Sequence, residues 1–457
     1  MGVESVFGDT KEGSERFMKK LCLILIAVCL LVTTGLTGCG GKGGEQGKPA
    51  GDIPALVSED LKPGNDTVFA TEKGYYYYSY AENGFRYTDR ATGKDMYLCN
   101  KPECRHDGNE FCVATNDKYN IERVGMYSGQ IFATAIEVTD TQYRYHLLSL
   151  ALDGSVLNEH VTYLTLEKMG VIPATHIDGG QLYIHRNVAM IPLWLVGDDG
   201  TETTQYFGTA IINLETREVT YLDEEPFSTE NEKVTDITAH GDYFYYCRKE
   251  GKKTVLHRYN IKDGTDETHK LLVGFNGMYV VQDENTIVYT RSDNSVLCVY
   301  HRETGESEEK VKLKKPETVY YMDGTSEEKE TVYKAFELKT DGEYIYVTKQ
   351  SSQRIKHDES FNVLETWEEA YVHVFDRELK SVAILDMAEV MAFAKEVRTE
   401  NPEEFYPYYN RMLYFTEDTV YCVLPNVNTY KEDYVYRCTR EEFLTGTPQF
   451  MYTFTMA

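Results

Sequence analysis

The sequence has almost no helical periodicity, because its apolar residues recur mostly at every second position in short runs. It has no Gly-rich phosphate loop after a strand and no Gly-x-Ser-x-Gly elbow, which argues against nucleotide-binding and α/β-hydrolase sites. The strand–helix alternation of transporter solute-binding proteins is absent as well. Basic residues number only 47 against 74 acidic ones, and the net charge of −27 would repel nucleic acid. These absences indicate an acidic, all-β protein with no nucleic-acid partner.

Long apolar runs are also scarce, and the one at the N-terminus has the features of an export signal. The run LCLILIAVCLLV covers residues 21–32 and follows Lys19-Lys20, and small residues come after it. It is too short to cross a bilayer of about 30 Å comfortably. Residues 1–17 are acidic and unsuited to a signal, so Met18 is the expected start of a signal region within 1–38. The alternative is a short buried helix.

The end of this signal resembles the lipobox of bacterial lipoproteins, with Leu36, Thr37, Gly38 and Cys39 matching its four positions. The resemblance implies that the Cys39 thiol receives a diacylglyceryl group and that the chain is cut just before it. The stretch GGKGGEQGKPAGD (40–52) that follows Cys39 is rich in Gly and Lys, which is typical of a flexible tether, and residues 39–64 are assigned to this lipidated tether. We therefore expect a lipid anchor in the cell membrane, an extracytoplasmic location, and a folded domain over 65–457.

Tyrosine is abundant, at 37 residues against two tryptophans, and it marks a repeated unit. The unit is an aromatic strand, a turn, a second strand, a polar turn and a third strand. The aromatic strands read GYYYYSY, GQIFATAI, GQLYIHR, DYFYYCR, NTIVYTR, GEYIYVT and DTVYCVL. Seven such units, each a three- or four-stranded antiparallel sheet, are therefore predicted.

A single sheet of this kind cannot bury both faces, whereas radial stacking gives each face a neighbour. The sequence therefore predicts a seven-bladed β-propeller, with six or eight blades as alternatives because residues 314–370 can be divided differently. A pair of β-sandwiches or a β-solenoid would explain the seven units less simply. One helical insertion is predicted at 386–400, where Asp386 and Glu389 have the spacing of a capping box.

With its lipobox and Tyr-rich repeats, the chain resembles the uncharacterised lipoproteins of Gram-positive gut anaerobes that carry a TolB-like or related β-propeller. The repeats cover most of residues 66–457, and the segment LCNKPECRHDGNEFC (98–112) resembles a cysteine-bearing stretch in the first blade of such proteins. The resemblance implies a fold and a location, and it implies no activity.

That segment holds the sharpest local chemistry of the chain. Cys99, Cys104, His106 and Cys112 form a complete tetrahedral zinc set, with no coordination position left for catalysis. The set predicts a structural zinc that fixes a long loop of the first blade. A disulfide such as Cys99–Cys112 with a leftover thiol is an alternative in an exported protein, and free buried thiols are another.

Apart from the lipid-modified Cys39 and the signal residues Cys22 and Cys29, seven cysteines remain: the three of the cluster and Cys247, Cys298, Cys422 and Cys438. Seven is odd, so complete pairing within the chain is impossible. Cys422 and Cys438 are placed to face each other across a hairpin. A pair of small apolar residues is preferred there over a disulfide.

Two functions agree with these features, and the sequence identifies no catalytic residue. The preferred one is a binding or assembly module that presents loops to a protein or glycan, with IPLW near Trp194 and EEFYPYYN at 403–410 as contact segments. The alternative is a carbohydrate-active enzyme with carboxylates at the channel of the ring.

Overall fold

The computed structural model describes residues 68–456 except 81, 109–110, 169–181, 199–202, 270–273, 321–324, 358–362, 388–412, 416–417 and 426–432. All of these belong to one compact unit, Gln46–Ala457. The predicted signal, the lipobox Leu36–Cys39 and the tether lie outside the described residues.

The described chain folds into seven four-stranded antiparallel sheets, which are the blades of a β-propeller. Blades 1 to 4 comprise β1 (Val68–Ala70), β2 (Gly74–Ser79), β3 (Gly84–Asp89), β4 (Asp95–Tyr97); β5 (Tyr119–Tyr127), β6 (Gln130–Val138), β7 (Gln142–Ala151), β8 (Leu157–Glu167); β9 (Tyr183–His185), β10 (Val188–Asp198), β11 (Thr203–Asn213), β12 (Val219–Tyr221); and β13 (Thr235–His240), β14 (Tyr243–Glu250), β15 (Lys253–Asn260), β16 (Asp266–His269). The predicted all-β class and seven blades are confirmed.

Blade 5 comprises β17 (Phe275–Asp283), β18 (Thr286–Arg291), β19 (Val296–His301) and β20 (Glu306–Lys312). A separate two-stranded sheet follows, made of β21 (Lys314–Tyr320) and β22 (Ser326–Val332). Blade 6 comprises β23 (Ala335–Thr340), β24 (Ile345–His357), β25 (Val363–Phe375) and β26 (Ser381–Asp386). Blade 7 comprises β27 (Leu413–Phe415), β28 (Thr419–Pro425), β29 (Asp433–Thr439) and β30 (Met451–Met456), with the helix α1 (Arg440–Leu444) before β30.

The first strand of each blade belongs to the inner ring, because first strands of neighbouring blades contact one another, as in β5 with β9 and β13 with β17. Since the four strands of a blade alternate in direction, the inner strands all begin at one face of the ring. The connections between blades lie at that face, including 98–118, 222–234 and the β21–β22 sheet. The opposite face has mostly tight turns, such as 128–129 and 241–242. We call the face with the long connections the insertion face.

Alternation of side chains explains the run of four tyrosines at 75–78. Tyr76 and Tyr78 belong to the apolar core between blades 1 and 2, and Tyr75 faces blade 7, where its ring packs edge-on against Tyr421. Successive residues of a strand point to opposite sides, so one strand supplies both neighbouring seams. The alternation of side chains along a strand therefore decides which neighbouring blade each of these tyrosines packs against.

Blade 3 differs from the predicted unit. GQLYIHR contains its inner strand β9, whereas the corresponding segments of the other blades are second strands. The true second strand, β10, has a near-continuous apolar sequence with Pro192 inside it, which hides the alternation. The sequence IPLW therefore lies in a strand, and its prediction as a loop was wrong.

The predicted helix at 386–400 lies almost wholly outside the described residues, in which Asp386 ends β26. The helix α1 was not predicted, although Thr439 and Glu442 form a capping box at its start. No helix within the described parts of the chain is both long and apolar enough to cross a membrane.

Candidate functional site

The loop 98–118, which joins β4 to β5, brings together the four residues predicted as metal ligands. The sulfur atoms of Cys99, Cys104 and Cys112 and a ring nitrogen of His106 all lie within 4.8 Å of one another. In a tetrahedral zinc site with Zn–S bonds of about 2.3 Å, sulfur atoms lie about 3.8 Å apart. A contraction of about 1 Å would therefore bring all four donors into bonding range of one ion. The cluster can hold a metal ion with a complete set of protein ligands.

Two residues in left-handed conformations bend the chain around this point. His106 has φ 55° and Gly108 has φ 83°. The bend is fixed by the Gly108 amide, which donates to Thr115 Oγ1 at 3.3 Å, and by the Asp117 amide, which donates to the Gly108 carbonyl at 3.0 Å. Gly108 adopts this conformation without steric cost, and the loop can therefore reverse within a few residues.

The thiol of Cys112 is placed to exist as a thiolate. The thiols of Cys112 and Cys99 share a hydrogen bond. This hydrogen bond lowers the pKa of Cys112 and raises that of Cys99. The amide and the hydroxyl of Thr115 also donate to Cys112 Sγ, at 3.3 and 3.2 Å. Such donors stabilise negative charge on sulfur, which is the form that binds a metal.

Backbone amides also reach the other two sulfur atoms. Those of Lys101 and Val113 donate to Cys99, and that of His106 donates to Cys104. Burial opposes ionisation and raises the pKa of Cys104. Hydrogen bonds to ligand atoms orient and tune a metal site, and all three sulfurs accept such bonds from the backbone.

The imidazole of His106 faces the sulfur cluster. Its Nδ1 lies 3.5 Å from Cys112 Sγ, and its ring centroid lies 4.7 Å from that of Tyr97. Its Nε2 is buried and has no hydrogen-bond partner in the part of the chain that the structure describes. The ring nitrogen that faces the sulfur atoms, and that could bind an ion among them, is therefore Nδ1.

The cluster lies at the seam between blades 1 and 2. Cys99 and Cys112 are 0% and 1% exposed and belong to the apolar core that these blades share. The turn of blade 2 clamps the loop from outside, since the Asn100 amide donates to the Gly154 carbonyl at 3.1 Å. A Cβ at Gly154 would lie only 2.8 Å from the Cys99 nitrogen. Such surroundings suit a structural site whose two inner sulfur atoms are shielded, while Cys104 and His106 are partly exposed.

The seven described cysteines are all free of disulfide bonds. Cys422 lies opposite Tyr436 and Cys438 lies opposite Val420, so the two cysteines are offset along β28 and β29 and do not face each other directly. Both are buried in the core between blades 6 and 7. They pack there as small apolar side chains, as preferred from the sequence.

A second polar site occurs where the inner strands begin, at the channel mouth on the insertion face. Register breaks interrupt four inner strands there: β5 at Glu122, β13 near Asp236, β17 near Gly277 and β23 at Phe336. A bulge re-aims the side chain of the unpaired residue, and bulges are frequent beside binding sites. In each of the four inner strands, the break lies a few residues before the turn that leads to the second strand of the blade.

Asp236 is the most unusual residue of this mouth. It has φ 52°, and its carbonyl accepts a hydrogen bond from Tyr279 Oη at 2.6 Å. The neighbouring strand leaves room for its carboxylate at Gly277, where a Cβ would lie 3.1 Å from Asp236 Oδ2. Although the side chain is open to solvent, protein atoms surround it on several sides, and this burial raises its pKa. A strained backbone and a weakened acid at one position are features of functional sites.

Tyr183 connects Asp236 to blade 2. Burial raises the pKa of Tyr183, Asp236 raises it further, and Arg123 lowers it, so the phenol lies within electrostatic reach of both charged groups. These three groups come from three successive blades, and the Tyr183 side chain among them is buried. Sequence reasoning missed this set. The one local feature of the sequence that pointed to this region is Gly277 within an apolar strand, which is typical of a bulge.

Of the predicted contact segments, 403–410 lies outside the described residues. Trp194 lies in β10, stacked on Phe207 with centroids 6.4 Å apart, and the Lys233 ammonium lies 4.1 Å from its ring centroid. Its rings are therefore largely engaged by the protein itself.

No protein-family model and no curated protein matches the chain. Similar solved structures include an oligogalacturonate lyase from Vibrio parahaemolyticus, at 11% identity and TM-score 0.40 over 70% of this chain and 81% of that one. An uncharacterised protein from Listeria monocytogenes has 6% identity and TM-score 0.38, over 74% and 83%. TolB from Acinetobacter baumannii has 10% identity and TM-score 0.29, over 67% and 61%. Similarity this low carries no argument about function.

Proposed function

We propose that the protein is a lipid-anchored, extracytoplasmic β-propeller that binds a protein or glycan at the cell surface. The observation that supports this most is the asymmetry of the ring. The inter-blade connections and the bulged inner strands lie at the insertion face, whereas the opposite face has mostly tight turns. Loops on a rigid scaffold are where binding residues concentrate. The ligand would therefore contact the insertion face around Asp236.

Binding at this face is tested with residues 65–457 and a panel of purified cell-wall and host glycans, followed by purified surface proteins. Asp236→Asn keeps the shape of the side chain and removes its charge, so it should weaken binding. Glu215→Gln, in an exposed turn of the opposite face, is the matched control and should bind normally. Equal binding by Asp236→Asn and the unaltered protein would contradict the assignment of the face.

The anchor is tested in cells by metabolic labelling with a fatty-acid analogue. Cys39→Ala should lose the label and move from the membrane fraction to the soluble fraction. Cys29→Ala, which removes a thiol from the signal itself, should keep both. Membrane retention of unlabelled Cys39→Ala would contradict lipid anchoring.

For the cluster of loop 98–118 we propose a structural zinc ion. Three sulfurs and one imidazole form a complete zinc set with no position for substrate, and zinc needs no preferred geometry beyond a tetrahedron. Bound zinc would fix a loop that joins two blades. Zinc and free thiols should be measured in protein purified without chelators: one zinc per chain supports the proposal, and its loss in Cys104→Ser but not in Cys298→Ser locates it. No zinc with two thiols missing would support a disulfide instead.

One observation favours the alternative of a carbohydrate-active enzyme, namely that burial raises the pKa of Asp236, at the start of an inner strand. Glycan-cleaving enzymes use a carboxylic acid with a raised pKa to protonate the leaving oxygen. Release of reducing ends from glycans by the protein, abolished in Asp236→Asn, would support catalysis. Binding of the same glycans without turnover would leave the binding function alone.

A further inference from the structure

We infer that the metal centre of loop 98–118, at the seam between blades 1 and 2, helps to keep the ring closed at the other seam of blade 1, where it meets blade 7. We call this second seam the closing seam. The inference rests on the metal binding proposed above. It concerns a regulation of that site, because metal occupancy would decide whether the first and last blades stay together.

The closing seam lacks the covalent continuity of the other seams. Blade 1 is built from consecutive strands between Val68 and Tyr97, and blade 7 from consecutive strands between Leu413 and Met456. Among the strands that the structure describes, none from one end of the chain joins the sheet at the other end. The described parts of the two terminal blades therefore meet through side chains.

The described residues that meet at this seam are aromatic and polar rather than aliphatic. Six apolar clusters join blades 1–2, 2–3, 3–4, 4–5, 5–6 and 6–7. Among the described residues, no such cluster joins blade 7 to blade 1, where the buried Tyr75 and Tyr421 pack against each other. Polar groups gain less from burial than apolar groups, so we expect this seam to open before the other six.

A small polar ladder spans the closing seam. Arg90 Nη2 donates to Tyr421 Oη at 3.0 Å, and Arg437 Nη1 donates to Tyr75 Oη at 3.4 Å. The Arg90 guanidinium lies 5.3 Å from the centroid of the Tyr75 ring, which packs against Tyr421. These contacts depend on the orientation of blade 1, since Tyr75 and Arg90 belong to it.

The orientation of blade 1 is set on its other side, by the core that holds two of the metal ligands. Loop 98–118 places Cys99 and Cys112 in that core beside Tyr76 and Tyr78, and the Phe85 amide donates to the Ala114 carbonyl at 2.9 Å. The described part of the loop has no helix or strand. Without the metal, the two ends of the loop would be held by this core and a few hydrogen bonds, and nothing would tie them to Cys104 and His106. Blade 1 would then shift against blade 2, and the polar ladder to blade 7 would break.

Hydrogen exchange of the full domain, residues 65–457, tests this directly with zinc as the probe. Removing zinc with a chelator should speed exchange by about tenfold or more in three segments: loop 98–118, residues 74–79 of blade 1 and residues 419–425 of blade 7. Residues 243–250 of blade 4 should be unchanged. Adding zinc should restore protection. Faster exchange confined to loop 98–118 would overturn the inference.

A reciprocal experiment avoids the metal ligands altogether. Coupling between two sites acts in both directions, so a change that opens the seam must weaken zinc binding. Arg90→Ala should reduce zinc affinity about fivefold or more in competition with a chromogenic chelator. Arg377→Ala is the matched control, because Arg377 makes similar contacts between blades 6 and 5, donating to the Gln282 carbonyl at 3.3 Å. It should leave zinc affinity unchanged.

The outcomes separate the two proposals. No zinc in the unaltered protein would refute the metal site itself, and the inference would fall with it. One zinc per chain, with an affinity that Arg90→Ala does not change, would keep the structural site and refute its link to ring closure.

Discussion

Replacing Gly154 by alanine should destabilise the protein more than the same change at another left-handed glycine. Gly154 has φ 66°, and a Cβ there would lie 2.8 Å from the backbone of Cys99 and of Leu98. Alanine at positive φ costs about 1 kcal/mol. Displacing the rigid backbone of loop 98–118 should cost about 2 kcal/mol more, as in overpacked cores. We therefore expect a loss of about 3 kcal/mol and weaker zinc binding.

Gly129→Ala is the matched control, because Gly129 has φ 71° and a Cβ there would meet nothing within 4 Å. Its cost should be about 1 kcal/mol, from the backbone alone. Urea unfolding measures both variants, and zinc per chain is determined on the same samples. Equal destabilisation by the two substitutions, or full zinc affinity in Gly154→Ala, would refute the view that the blade 2 turn clamps the metal loop.

Three further predictions address other parts of the ring. Burial lowers the pKa of His373 to about 4, so between pH 6.5 and 4 the unfolded chain binds a proton there that the folded chain does not. The free energy of unfolding should therefore fall by up to about 3 kcal/mol as the pH falls through this window. His373→Gln should flatten the dependence of the urea midpoint on pH. A Cβ at Gly208 would overlap the Pro226 carbonyl, so Gly208→Ala should detach loop 222–234 and speed its cleavage by a Glu-specific protease, whereas an unchanged rate would contradict that packing. Chelation should make Cys104 the first thiol to be alkylated, because it is the least buried of the seven, and mass spectrometry of the labelled peptides would detect any other order.

Local patterns were enough to predict the class of fold and a cluster of four residues that could hold a metal ion. Successive side chains of a strand point to opposite sides, so the run Tyr75–Tyr78 is typical of a strand with neighbours on both sides, and seven recurrences of an aromatic strand predict seven blades. Cys99, Cys104, His106 and Cys112 lie close in sequence, so their spacing alone predicts that they come together. Both predictions depend on residues that are neighbours along the chain.

The predictions failed or were silent where distant segments meet. The second strand of blade 3 was missed because β10 is apolar on both sides and contains Pro192, so its pattern has no period of two. The meeting of Arg123, Tyr183 and Asp236 depends on how three blades are placed around the channel. The spacing of these three residues in the sequence does not indicate that they lie close together.

The sequence by itself determined what each blade is, because strand period, turn residues and ligand spacing are properties of short segments. Only the tertiary structure decided that the loop 98–118 belongs to the seam between blades 1 and 2, and that Arg90 meets Tyr421 across the closing seam. These residues are hundreds of positions apart or face different blades, and their contacts exist only once the ring has closed. The physical reason is that stacking energy depends on both surfaces of a seam, whereas a sequence pattern describes one surface at a time.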